Sequence, residues 1–95
     1  MSKQKETLFK EKVVKRLAKI PNLYCRKIQQ VSIRGTLDLI ICYRGKFFAW
    51  ELKVGDNKPD NLQQYEISWI QEAGGIARVV TPDNFEESLK ELLNA

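Results

Sequence analysis

The stretch from Gly35 to Lys53, GTLDLIICYRGKFFAWELK, constrains the fold more than any other part of the chain. Two strongly apolar runs flank one turn signal, Arg44-Gly45, and this arrangement predicts an antiparallel β-hairpin with a two-residue loop. Counting outward from that turn places Asp38 opposite Glu51. The hairpin therefore brings two acidic residues to the same end of a sheet, where apolar side chains would be expected.

Side chains alternate between the two faces of a strand. Glu51 and Lys53 are therefore predicted to share the face of Asp38, and the large apolar side chains of the hairpin to share the other face. We expect Phe48 and Trp50 to belong to the core rather than to an interface. The apolar set comprises Leu37, Leu39, Ile41, Phe48, Trp50 and Leu52.

Facing carboxylates, about 5 Å apart at Cβ, repel each other. They either raise each other's pKa or bind a cation between them. Hard oxygen ligands without Cys or His suit Mg²⁺ or Mn²⁺, so the pair predicts a divalent metal site. The alternative is a structural ion pair in which Lys53 neutralises one acid. The Glu-x-Lys triplet says little by itself, since Asp56-Asn57-Lys58 has the same pattern in a loop.

The composition limits the chain to one small domain and narrows its chemistry. The chain has 95 residues and no histidine, which excludes His-based zinc sites and Ser-His-Asp triads. Its N-terminus carries no apolar export signal, and no apolar run is long enough to span a membrane. Cys25 and Cys42 are expected to be reduced, buried thiols of an intracellular, cytoplasmic protein, the alternative being one disulfide.

Positive charge is concentrated in the first half of the chain. Residues 1–47 contain twelve Lys and Arg against three acids, whereas residues 48–95 contain four against nine. A cationic N-terminal half is typical of a protein that binds nucleic acid, although charge runs are also common on solvated helix faces.

The remaining helices and strands are predicted from the spacing of apolar residues and from the turn and cap residues between them. A 3.6-residue apolar repeat predicts an amphipathic helix over residues 5–20. A run rich in Tyr, Ile and Val predicts a strand over 23–33, at an edge of the sheet because many of its other residues are polar. A helix over 62–73, capped by Asp60 or Asn61, a strand over 76–81 and a last helix after Thr81-Pro82 complete the chain. The order α-β-β-β-α-β-α predicts an α/β domain with a mixed sheet and helices packed on it.

Four segments resemble the VRR-NUC (virus-type replication-repair nuclease) domains of the PD-(D/E)xK nuclease superfamily. They are RGTLDLI (34–40), AWELK (49–53), KPDNLQ (58–63) and EAGGIARVV (72–80). The likeness covers nearly the whole chain, as one domain over residues 1–95. It implies a restriction-endonuclease-like fold, a mixed central β-sheet flanked by helices, and a metal-dependent, structure-specific DNA endonuclease. Leu37 stands where the family usually has a proline before the aspartate.

The resemblance also implies roles for individual residues. Asp38 and Glu51 would bind Mg²⁺ or Mn²⁺ together with the backbone carbonyl of Leu52. Lys53 would orient or deprotonate the attacking water. Gln63 matches a glutamine that the family places near the active site, although a polar residue at a helix start is often only solvated.

An acidic residue on the first helix completes the family's metal site. Glu6 falls on the apolar side of that helix and is the better candidate, whereas Glu11 falls on the opposite side. Cations of the first helix and first strand would hold the DNA backbone without reading bases. These DNA-binding residues are Lys10, Arg26, Lys27 and Arg34.

Stand-alone VRR-NUC domains resemble Holliday-junction resolvases, which cut two symmetric strands as homodimers. The expected partners are therefore branched or four-way DNA and a second copy of the chain, and no membrane. The resemblance implies a role in DNA repair. It also allows for a phage-encoded protein that acts in a bacterial host. Two alternatives stay open: a non-catalytic DNA-binding module of the same fold, and the nuclease subunit of a restriction-like system.

Overall fold

A computed structural model describes residues 2–29, 35–55 and 58–95, in which a four-stranded mixed sheet and three helices make an α/β fold. In chain order the elements are α1 (Ser2–Ala18), β1 (Leu23–Lys27), β2 (Leu39–Tyr43), β3 (Lys46–Leu52), α2 (Asn61–Glu72), β4 (Ile76–Val80) and α3 (Phe85–Leu93). This order matches the predicted one. β1 is shorter than the predicted strand, whose last residues, 30–33, lie outside the described ranges.

The hairpin forms at the predicted turn and in the predicted register. Arg44 and Gly45 both have positive φ, 53° and 79°, as a tight two-residue hairpin loop requires. β2 pairs with β3 so that Ile40 faces Ala49. The paired strands stop one step before Asp38 and Glu51, which therefore lie at the open end of the hairpin.

The sheet has the order β1-β2-β3-β4, with β1 at an edge as predicted. β1, β2 and β3 are antiparallel neighbours, and β4 runs parallel to β3. Parallel strands need a crossover connection, and α2 supplies it. The crossover carries the chain from the acidic end of β3 across one face of the sheet and back.

α1 and α3 together cover one face of the sheet and enclose the main core. Phe48 and Trp50 are fully buried there, so the prediction that they belong to the core is confirmed. The buried residues of this core are Phe9, Val13, Leu17, Leu39, Ile41, Tyr43, Phe48, Trp50, Leu52, Val80, Phe85, Leu89 and Leu92.

α2 alone covers the other face, over a smaller cluster. Ile67 and Ile70 pack there against Leu37, Ala49 and Ala77. The prediction that Leu37 shares the face of the main-core residues is therefore wrong. The chain bends just before β2 begins, so strict alternation does not extend back to that residue.

Both cysteines are free thiols, and they differ in burial. Cys25 is half-buried against the main core, but Cys42 is exposed, so the prediction of two buried thiols is wrong for Cys42. Cys42 faces Tyr24 across the strands, whereas Cys25 faces Ile41, which places the two thiols on opposite faces of the sheet. Among the described residues, no helix has both the length and the apolarity to span a membrane.

Candidate active site

Asp38 lies at the point where the chain enters β2, held from two sides. Its Oδ2 accepts a hydrogen bond from the Leu52 backbone N–H at 2.8 Å. Its carbonyl oxygen accepts from the Ile28 N–H, also at 2.8 Å, which extends the pairing of β1 with β2. Both neighbouring strands therefore fix the position of this carboxylate, and its side chain remains 25% exposed.

Glu51 is a buried carboxylate with one oxygen satisfied and one not. Only 3% of the residue is exposed. Its Oε2 accepts a hydrogen bond from Gln63 Nε2 at 2.6 Å and lies 3.2 Å from Lys53 Nζ. Its Oε1 is buried and has no hydrogen-bond partner in the part of the chain that the structure describes.

The surroundings of Glu51 raise its pKa above the ordinary value of 4.5. Burial is the larger cause, because it penalises the charged form, and the nearby charge of Asp38 adds to it. Lys53 and Gln63 act in the opposite direction by stabilising the carboxylate. The two acids that the hairpin was predicted to bring together thus lie close enough to interact electrostatically.

Gln63 is held over Glu51 by the first turn of α2. Asp60, rather than Asn61, is the N-cap: its Oδ1 accepts from the Gln63 backbone N–H at 2.8 Å. In return, Gln63 Oε1 accepts from the Asp60 N–H at 3.2 Å, a reciprocal capping box. The Gln63 side chain therefore links the cap of α2 to the buried carboxylate of Glu51. The alternative, that Gln63 is only solvated at the helix start, does not describe these contacts.

A glycine allows α2 to approach the start of the hairpin. Gly35 has φ +86°, and a Cβ on it would lie 2.7 Å from the carbonyl oxygen of Leu62. Only a residue without a side chain fits both the conformation and the contact. This close approach fixes the beginning of α2, and with it Gln63, beside the acidic pair.

Lys10 reaches the site from α1. Its Nζ lies 3.6 Å from Asp38 Oδ1 and 3.7 Å from Glu6 Oε1. The predicted first-helix acid is therefore connected to Asp38 through a lysine that was expected only to contact DNA. The spacing of Glu6 and Lys10, four residues apart on a helix, is the signal in the sequence for their own pairing, but no local pattern indicates the contact of Lys10 with Asp38.

A cleft of about 300 Å³ opens beside Asp38, between α1 and the ends of β1 and β2. Glu11 lines it together with Lys10 and Lys27. Glu11 was predicted to fall on the side of α1 opposite the apolar stripe, and one flank of the helix, not only that stripe, borders the cleft. Both acids of α1 remain candidates for a role at the site.

The predicted DNA-binding residues that the structure describes do not form one surface. Lys10 and Lys27 line the cleft beside Asp38. Arg26 lies on the opposite face of the sheet and stacks on the Tyr24 ring, its guanidinium carbon 4.5 Å from the ring centroid. Arg34 lies outside the described residues.

The donor set fits a hard divalent ion bound by few protein ligands. No group of three or more Asp, Glu, Cys or His side chains that could hold a metal occurs within residues 2–29, 35–55 and 58–95. Mg²⁺, however, commonly takes one or two carboxylates and completes its shell with water and substrate phosphate. Glu51 lies close to Asp38, and its Oε1, which lacks a hydrogen-bond partner in the described part of the chain, is an oxygen that such an ion would satisfy.

Comparison with known proteins finds no matching family model and no significantly similar curated protein. It therefore lends no independent support to the resemblance to VRR-NUC domains, which rests on the motif residues themselves.

Proposed function

We propose that the chain is a Mg²⁺- or Mn²⁺-dependent, structure-specific DNA endonuclease with a restriction-endonuclease-like fold, similar to the VRR-NUC domains. One observation carries the proposal: a buried glutamate, one of whose oxygens has no hydrogen-bond partner among the described residues, lies beside a second carboxylate and a lysine. A purely structural ion pair would satisfy both oxygens of a buried carboxylate, because an unmade hydrogen bond there costs stability. A site that binds a cation has a reason to leave one oxygen free.

Asp38, Glu51 and the backbone carbonyl of Leu52 would hold the metal ion. When bound, a divalent ion lowers the pKa of a coordinated water and offsets negative charge on the leaving oxygen of a phosphodiester. Gln63 acts as a positioning residue, since its amide fixes the orientation of the Glu51 carboxylate. Asp38 is positioned by the Leu52 N–H in the same way.

Lys53 supplies the positive charge on the substrate side. Its ammonium group lies 3.2 Å from Glu51 Oε2, and its side chain is 19% exposed, so it can also contact a bound phosphate. There it would orient the attacking water and stabilise charge that develops on the phosphoryl oxygens. A point charge in a partly dehydrated site serves this purpose better than one in bulk water.

Lys10 acts as an internal counter-ion when no metal is bound. It neutralises part of the charge of Asp38 while remaining 29% exposed. Once Asp38 was engaged in metal binding, the Lys10 ammonium group would be free to turn toward DNA in the adjacent cleft, which Lys27 also lines. Two backbone contacts of this kind position DNA without reading its sequence, which suits the recognition of shape.

A cleavage assay tests the proposal. The protein is incubated with four-way junction, flap, single-stranded and duplex DNA in Mg²⁺, Mn²⁺ or EDTA. We expect cleavage of branched DNA that EDTA abolishes, and a homodimer as the active species. Asp38→Asn and Lys53→Met should remove cleavage and leave DNA binding largely intact, whereas Lys58→Met, in the loop triplet of the same pattern, should change neither.

Cleavage by Asp38→Asn or Lys53→Met at the wild-type rate would refute the assignment of the site. The same assay separates the alternatives. A non-catalytic DNA-binding module would bind the substrates and cut none of them with either metal. A subunit of a restriction-like system would show no preference for junctions and would need a partner to recognise sequence.

A further inference from the structure

The sheet face under α2 is only partly covered. Tyr24, Cys42 and Phe47 face one another in register across β1, β2 and β3, on the side of α2. All three are exposed, Tyr24 by 49% and Phe47 by 43%. We call this exposed row, Tyr24-Cys42-Phe47, the open row. It lies where a second helix would pack on a fully covered sheet.

The open row follows from the number of helices on each face. Strands lie about 4.8 Å apart, so four of them need more width than one helix of about 10 Å can cover. Two helices, α1 and α3, cover the opposite face. α2 packs mainly near β4, over Ala49 and Ala77, and leaves the part formed by β1 and β2 exposed.

α2 itself has an apolar stripe that its own sheet does not use. Leu62, Tyr65 and Trp69 are 47%, 64% and 59% exposed, and the rings of Tyr65 and Trp69 lie 5.9 Å apart. At 100° per residue, the stripe is about 130° around the helix from the side that carries Ile67 and Ile70. None of the twelve residues of α2, all of them described, is buried.

The charges around these two surfaces disfavour nucleic acid and favour a protein. α2 contains Glu66 and Glu72 and no Lys or Arg, so a DNA backbone would be repelled where the aromatic rings are exposed. On the sheet, Arg26 is exposed next to the open row and stacks on Tyr24. The helix is acidic where the sheet is basic, which is the complementarity that a helix-on-sheet contact needs.

We propose that two copies of the chain associate about a twofold axis, with the stripe of α2 from each copy seated on the open row of the other. The exposed stripe of a helix and the uncovered part of a sheet lie on the same side of one molecule, so the contact is self-complementary, as a C₂ dimer requires. This inference names the surface of the homodimer expected under the proposed function and in that respect rests on it, but it uses no residue of the acidic site.

The exposed apolar area is of the size that a stable dimer needs. Aromatic side chains offer roughly 150–250 Å² each. At about half exposure, the four aromatic residues and Leu62 present on the order of 400–500 Å² per copy. A standard interface buries about 800 Å² per partner, of which the apolar part is somewhat more than half.

The test is the mass of the intact protein in solution, measured by light scattering over a range of micromolar concentrations. We expect the wild type to have twice the chain mass of 11.0 kDa. Trp69→Glu on the helix and Tyr24→Glu on the sheet should each raise the dimer dissociation constant about tenfold or more. Leu8→Glu is the matched control, because Leu8 is 58% exposed on α1, on the other side of the sheet.

Far-UV circular dichroism and a thermal melt show whether each variant is folded. Both target residues are about half exposed, so folding should persist, and the two variants test opposite halves of the contact. A monomeric wild type, or dissociation by Leu8→Glu and not by Trp69→Glu, would overturn the proposal. So would a Trp69→Glu variant that keeps the dimer mass but loses DNA binding, since the stripe would then contact nucleic acid. Cleavage activity is not the readout, so failure here is distinct from failure of the nuclease assignment.

Discussion

Replacing Glu51 with glutamine should stabilise the protein in the absence of metal, although it removes a charged residue from an ion pair. The side chain is almost fully buried, and its Oε1 has no partner among the described residues. A glutamine of nearly the same shape removes the buried charge and its repulsion with Asp38. Its amide can donate a hydrogen bond toward Asp38 while its oxygen still accepts from Gln63.

The pH dependence follows from the raised pKa of Glu51. Because the folded protein holds this proton more tightly than the unfolded chain does, the folded state loses stability as pH rises from the ordinary value of 4.5 through the raised pKa. The loss is complete above that pKa. Glu51→Gln should therefore differ most from the wild type at pH 8 and little below pH 4.5, where the carboxyl is protonated in both states.

The expected magnitude comes from two opposing contributions. A buried, unsatisfied polar group costs about 1–3 kcal/mol. The contact with Lys53 offsets part of this cost but not all of it, because the pKa of Glu51 is raised even with that ammonium group 3.2 Å away. The net stabilisation at pH 8 is thus about 1 kcal/mol, which for a domain of this size raises Tm by roughly 4–8 °C. Thermal melts in EDTA at pH 4 and pH 8 measure it.

Metal should reverse the order of stability. At a Mg²⁺ concentration ten times Kd, the wild type gains about 1.4 kcal/mol, and the glutamine variant should gain less because it lacks the carboxylate. If Glu51→Gln is less stable than the wild type at pH 8 in EDTA, the Lys53 ion pair outweighs the cost of burial. Glu51 would then be a structural residue, and the reasoning behind the metal site would be wrong.

Three further predictions concern other parts of the chain. Lys10→Met should bind Mn²⁺ about 5- to 10-fold more tightly than the wild type, because it removes a charge that competes with the metal for Asp38. The control Lys12→Met should keep the wild-type affinity. An unchanged affinity of Lys10→Met in a titration would contradict this. Gly35→Ala should destabilise by more than about 1 kcal/mol in urea unfolding, and by clearly more than Gly45→Ala, which has a similar positive φ but open space around it. Leu17→Ala, at a fully buried position of the main core, should cost about 2–5 kcal/mol, and a smaller loss in the same unfolding assay would show that the core can collapse around the cavity.

The hairpin could be predicted from the sequence because its information is local. A single turn signal between two apolar runs sets the register, and the register sets the position of every side chain in both strands. The burial of Trp50 and the proximity of Asp38 to Glu51 follow from counting alone. The helices were predictable for the same reason, since a 3.6-residue apolar repeat is a property of one segment.

The errors occurred where two segments meet. Lys10 reaches Asp38 only because α1 crosses the end of the sheet, and no local pattern gives that crossing. Leu37 lies on the unexpected face because the chain bends before its strand begins. Cys42 is exposed because one helix cannot cover four strands, so an apolar sequence context does not guarantee burial.

α2 connects the candidate site to the proposed dimer surface. Its first turn holds Gln63 on Glu51, and the outward stripe begins at Leu62, the residue against which Gly35 is packed. A partner seated on Tyr65 and the rest of the stripe would thus restrain the same turn that positions the carboxylate. Because a twofold axis would relate the two copies, each copy would bring its own site to the dimer. Each site would then face its own strand of a branched substrate, so a variant that dissociates the dimer should also lose the coupling between two cuts.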